Sequence, residues 1–340
     1  MENIKRILKE LLQIYSVSGN EKMGKEAVVS LARDVFDEVK IDNMGTYILV
    51  KKSNKKNAKR LLIDAHFDTV GLMVTSIKKG GFLKVVNIGG LDTRVLPATE
   101  VVVHGKRDIY GLITSTPPHL RKESSKNPKI EDLMVDTGYE KEELEKIVSV
   151  GDFISYKQQI DFISGDYVTA SSLDDKACLA AVIEAASKMD KEMLQYDVYV
   201  TASAQEETGK AGVARVAFDI NPDIAIITDV NFARTEKEED FETIECKGGA
   251  SVDISALTDR RLTRNIINLL KEKGIKHQLV CEPGRTCTNN DPVSISGYGI
   301  RTALMSIPLK SMHTPSETVN LQDIKSLADI LVAVSYEENL

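Results

Sequence analysis

Cysteine is scarce in this 340-residue chain, with only Cys178, Cys246, Cys281 and Cys287, none in CxxC spacing. That excludes a disulfide framework and a cysteine-built zinc site. No apolar run approaches the roughly 20 residues of a membrane span, so no membrane partner is expected. Positive charge is not in excess either. The net charge is -7, and the one basic stretch, Lys51 to Arg60, stands alone. It reads as a solvated hairpin loop, and nucleic acid is not expected as a partner. Repeats and low-complexity segments are missing. No signal peptide is read, because Met1 opens directly into an amphipathic pattern, and a cytoplasmic location is expected. Histidine occurs only five times, as His66, His104, His119, His277 and His313.

What is present is ordinary globular composition, 42% hydrophobic and 28% charged. The length suits one large domain or two smaller ones. Ile4, Leu8, Leu11, Leu12 and Tyr15 mark a first helix, and Glu21 to Val39 predicts a second. Leu61 to Ala65 predicts a short strand ending in His66-Phe67-Asp68. From Val70 to Val150 the texture changes to strands with glycine turns, and only Glu140 to Val150 has a helical pattern. A run of strands inside an alternating β/α chain predicts an inserted all-β domain. Asp174 and Asp175 then precede a strongly amphipathic helix, Lys176 to Met189. Val198 to Ala204 predicts a buried strand that delivers Gln205, Glu206 and Glu207 at its end. A helix from Lys210 to Phe218 follows, then a strand from Ile224 that ends in Asp229. Further on, Ile275 to Val280 reads as a strand, Cys281 to Pro292 as loop, and Ala303 to Ile307 as a strand before the segment that carries His313. A closing helix runs through Leu321, Leu331 and Val334.

These positions share one property: each lies just past a predicted strand or just before a helix, where ligand sites of open α/β sheets gather. His66, Asp174, Glu207, Asp229 and His313 supply five oxygen and imidazole donors without a thiolate, which suits Zn, Co or Mn. Five donors with one shared carboxylate fit two divalent cations, roughly 3.5–4 Å apart in such sites. Glu206 remains over as a general base. Asp68 is placed to orient His66 or a neighbouring ligand. His104 and His119 receive no role.

HFD (His66 to Asp68), SSLDDK (Ser171 to Lys176), AQEETG (Ala204 to Gly209), ITDV (Ile227 to Val230) and PLKSMHTPSE (Pro308 to Glu317) resemble the signature segments of the two-metal glutamyl aminopeptidase and tetrahedral aminopeptidase family. Some members of that family carry an endoglucanase M label. The resemblance spans essentially the whole chain. It implies an α/β fold: a mixed-sheet, zinc-peptidase-like α/β/α catalytic domain over 1–69 and 163–340, with an inserted PDZ-like or barrel-like domain at 70–162 that serves oligomerisation. It implies one cation on His66 and Asp229, another on Glu207 and His313, and Asp174 bridging. Glu206 would be the general base and Asp68 a support for His66. Zn, Co or Mn would be the cation, short peptides the substrate, and a homo-oligomer of up to twelve copies the assembly. The sequence departs from the family at Thr69, where Glu is usual, at Lys176, where Arg is usual, and over Gly284 to Asp291. A related deacylase, a glycoside hydrolase using two carboxylates and no metal pair, and a non-catalytic family member are the alternative functions.

Overall fold

The computed structural model describes residues 1–115, 127–234 and 243–340. His119, and residues 235–242 of the charged loop expected after Asp229, lie outside the described residues. The chain opens with helices α1 (Glu2–Leu12) and α2 (Lys25–Ala32), then strands β1 (Glu38–Ile41), β2 (Tyr47–Lys51) and β3 (Lys59–His66). Next come β4 (Gly71–Ile77), β5 (Leu83–Ile88), β6 (Glu100–His104), β7 (Asp108–Ile113), β8 (Met134–Asp136), the one-turn helix α3 (Lys141–Leu144) and β9 (Phe153–Tyr156). The chain returns through β10 (Asp161–Ile163), β11 (Tyr167–Ala170), helix α4 (Leu173–Lys188), β12 (Tyr196–Ser203), the short α5 (Glu206–Gly209), α6 (Ala211–Ile220) and β13 (Ile224–Phe232). It closes with β14 (Ser251–Ser255), α7 (Arg260–Glu272), β15 (Gln278–Glu282), α8 (Asn290–Ser294), β16 (Arg301–Leu309), β17 (Glu317–Asn320) and α9 (Leu321–Ser335).

Eight strands form one sheet in the order β1-β2-β12-β3-β13-β16-β14-β15. Its centre, β12 to β16, is parallel; β1, β2 and β12 pair antiparallel on one side, and on the other β14 runs antiparallel to β16 and parallel to β15. Parallel strands are covered on both faces, which is why Leu61 to Ile63 and Ile224 to Ile227 are unbroken apolar runs. Helices α1, α4 and α9 cover one face. Helices α6 and α8 cover the other. Helix α4 lacks the strong amphipathic character expected of it: it is buried on every side from Leu173 to Ala186, which is why its sequence is Ala-rich and largely apolar all round. Strands β4-β5-β8-β7-β6-β9 close into a six-stranded barrel. The barrel has its own core, including Leu72, Val85, Val103, Val135 and Ile154.

Several expectations change here. The second helix stops at Ala32, and Glu38 to Ile41 is an antiparallel strand paired to Tyr47–Val50 around the Gly45 turn. The apolar residues of 35–39 fit either period, and pairing with β2 decides for the strand. Lys51 to Arg60 is no hairpin loop, because β12 lies between β2 and β3 and pairs with both. Asp229 sits three residues before the end of β13 rather than at its end. The strand expected from Ile275 begins at Gln278, and α8 begins inside the loop expected over Cys281 to Pro292.

The turn from β12 into α6 depends on close approach. Gly212 N donates to Ala204 O at 3.2 Å. A Cβ at Gly212 would press on the Ala204 carbonyl and stand 2.6 Å from Thr46 Oγ1. Gly212→Ala should therefore cost about 1–3 kcal/mol of stability, read as a lower denaturant midpoint at unchanged slope.

Candidate functional site

The parallel pairing sets the site. Ser203 on β12 lies opposite His66 on β3, and Ile227 on β13 lies opposite Asp64 on β3. His66 on β3, Asp229 on β13 and Glu206, at the start of α5 just past β12, are therefore carried to one end of the sheet by three neighbouring strands. The αL residues around them bend the chain sharply. Ser172, Gln205, Lys210 and His313 all have φ between 59° and 67°. Such backbone conformations cost free energy outside glycine and gather where a site demands them.

All five sequence-selected donors converge. His66 Nε2 is 2.9 Å from Asp174 Oδ1 and 3.9 Å from Asp229 Oδ1. His313 Nε2 is 3.2 Å from Asp174 Oδ2 and 3.4 Å from Glu207 Oε1. Two groups result, His66/Asp174/Asp229 and Asp174/Glu207/His313, each with ligand atoms within 4.8 Å of one another. Asp174 belongs to both, and its two oxygens face different histidines. Three donors of mixed imidazole and carboxylate character per group fit a divalent cation with room for a further ligand.

The electrostatics agree with that fit. Burial pushes the Asp229 carboxyl well above its ordinary range and Glu207 up to about 7. Asp174 is also buried, but His313 and His66 hold it below the usual carboxylate range. Burial works against charge on His313, yet Asp174 and Glu207 outweigh it and raise the imidazole to about 11. His66 is raised likewise, chiefly by Asp174 and Asp68. A cluster of buried carboxylates held by two imidazoles is costly, and divalent charge offsets that cost.

Two further carboxylates hold the backbone in place. Asp68 is fully buried; its Oδ1 accepts from Glu206 N at 2.9 Å and its Oδ2 from Glu207 N at 3.1 Å. Its Oδ1 also lies 3.7 Å from His66 Nδ1, and its carbonyl is closer, 2.9 Å from the same nitrogen. Asp68 thus fixes the Glu206-Glu207 pair as well as the imidazole. Glu317, 2% exposed, does the same across the site. Its Oε2 accepts from Leu173 N at 2.7 Å and Asp174 N at 3.2 Å, and its Oε1 from His313 N at 2.7 Å. Burial and nearby Asp174 push its carboxyl up to about 8. Sequence reading assigned Glu317 no role. Its one signal is its place four residues after His313.

Glu206, 7% exposed, carries an ion pair to Lys210, with Nζ 2.7 Å from Oε1. Both line a cavity of about 520 Å³ that also reaches His66, Asp174, Asp229 and His313. His104 is elsewhere, in the barrel, between Asp108 Oδ1 at 2.9 Å and Ser155 Oγ at 2.7 Å. Lys176 is buried, donating to Ile14 O with its ammonium 5.6 Å from the Phe67 ring centre. A point-charge ammonium meets that single carbonyl, where a guanidinium would bring five donors.

The family model described as M42 glutamyl aminopeptidase matches residues 45–330. The chain belongs to this family. The lysyl aminopeptidase of Pyrococcus furiosus is 32% identical over 338 residues, 97% of this chain and 96% of that one. A TET aminopeptidase from a marine-sediment Thaumarchaeota archaeon superposes with a TM-score of 0.93 at 26% identity, covering 100% of this chain and 97% of that one. The TET1 peptidase of Pyrococcus horikoshii superposes with a TM-score of 0.87 at 29% identity over 98% and 99% of the two chains. That peptidase can assemble into a tetrahedron or a large octahedral shell. M42 membership makes this protein a hydrolase of peptide bonds and implies divalent cations.

Proposed function

We propose that the protein is a two-metal aminopeptidase that removes the first residue of short peptides. The observation that carries this reading is Asp174, whose two oxygens each face a different histidine in a different donor group. His66 and Asp229 would hold one cation, Glu207 and His313 the other, and Asp174 would bridge them, with Zn the first choice and Co or Mn alternatives. Bound there, the cations would acidify a water and polarise the scissile carbonyl. Glu206 takes the proton from the attacking water and passes it to the leaving amine. Lys210 keeps Glu206 aimed into the cavity. Asp68 and Glu317 hold the ligand-bearing backbone still, so that the donors need no reorganisation during turnover. The barrel serves self-assembly into a homo-oligomer of up to twelve copies, following the TET relatives.

Hydrolysis of aminoacyl-p-nitroanilides and matching tripeptides, free and N-acetylated, tests the reading. Activity should vanish with chelator, return with Zn or Co, and be confined to the free amines. Chelator-resistant cleavage, or cleavage of acetylated substrates at a comparable rate, would overturn it.

A further inference from the structure

The cavity beside the donor cluster contains a carboxylate that the chemistry above does not use. Glu282 ends β15 and lines the same cavity as His66, Asp229 and Glu206. Its Oε1 accepts from Asn231 Nδ2 at 3.0 Å. Asn231 follows Asp229 by two residues on β13, so the two side chains share a face of the sheet. The amide therefore ties Glu282 to the strand that carries Asp229. Among the described residues no lysine or arginine pairs with Glu282, and its Oε2 has no hydrogen bond. Burial raises its carboxyl above the ordinary range despite the Asn231 bond, and Asp291 pushes the same way. A half-buried carboxylate without a cation is expensive to keep unless something positive visits it.

Among the described residues, Lys210 and Arg285 are the lysine and the arginine that border the cavity. Lys210 is already committed to Glu206 at 2.7 Å. Arg285 is exposed, so water and salt screen its charge. Among the described residues that line the cavity, outside the two donor groups and the Glu206–Lys210 pair, Glu282 is the half-buried charge, and a substrate side chain meets it at lower dielectric than Arg285.

We propose that Glu282 receives the cationic side chain of the substrate's first residue, so that the enzyme prefers peptides that begin with lysine or arginine. Asn231 is the positioning residue that holds the carboxylate for it. This rests on the aminopeptidase reading and adds its substrate class.

The experiment uses the cation-loaded full chain and Lys-, Arg-, Leu-, Ala- and Glu-p-nitroanilide. The wild-type protein should show kcat/KM for Lys and Arg at least about tenfold above Leu, with Glu lowest. In Glu282→Gln the Lys-to-Leu ratio should fall about 10- to 100-fold, the range expected when a charged hydrogen bond becomes a neutral one. In Glu282→Lys the order should move toward Glu. A wild-type protein that prefers Leu or Glu, or a Glu282→Gln variant that weakens every substrate in equal proportion, overturns the assignment and leaves the aminopeptidase reading standing. The wild-type order decides alone if the variants fold poorly. A loaded protein that cleaves none of the panel overturns both.

Discussion

Glu206→Gln should keep two cations per chain and lose about a thousandfold in kcat. Gln has the same shape, so the Glu206 N to Asp68 bond and the neighbouring Glu207 stay in place. Glu206 belongs to neither donor group, which is why its carboxylate is free to move a proton. The amide cannot take one. The lost Lys210 ion pair, with side chains 25% and 8% exposed, changes how residue 206 is held, and thermal unfolding reads that cost apart from kcat. The substrate contacts are otherwise unchanged, so KM should move far less than kcat. Steady-state kinetics with metal analysis of the same sample checks both halves. Turnover within tenfold of wild type would remove Glu206 from the proton path.

The donors were legible because each is tied to a local pattern. An apolar strand ending in His-x-Asp, an acidic pair before an apolar helix and an acidic pair after a strand are all short-range signals. Their shared placement, just past a strand or before a helix, already suggested one site for two cations, and the resemblance added which donors go with which cation. What could not be read was whatever depends on partners far away in the chain. Glu317 looks like any acid in a polar loop until Leu173, Asp174 and His313 turn their N–H groups toward it. Strand β12 enters between β2 and β3 because parallel β12–β3 pairing sets two apolar runs side by side, and β12 begins 136 residues after Arg60, where the expected hairpin loop ends. Strand β1 has too little amphipathic signal to outweigh a helical reading of 35–39. Glu282 was assigned to a loop, although its place at the end of β15 is what sets it into the cavity.

Asp174→Asn should lose both cations. The substitution leaves His66 with Asp229 and His313 with Glu207, two strong protein donors per position where catalytic sites use three. A neutral amide is a weaker oxygen donor and does not offset two cations. Metal content should fall below one per chain after desalting, and kcat should drop by more than about a thousandfold with it. Thermal unfolding gives a readout independent of turnover. A cation held at about 100 times its Kd stabilises the native wild-type chain by about 2.7 kcal/mol, seen as a raised Tm on adding Zn. Asp174→Asn should show little of that rise, while its cation-free Tm stays near that of cation-free wild type if the fold is intact. The comparison separates lost binding from lost structure, because misfolding would lower the cation-free Tm too. Retention of two cations and of the full Zn-dependent Tm rise would mean that the two donor groups are independent, and that Asp174 does not bridge them.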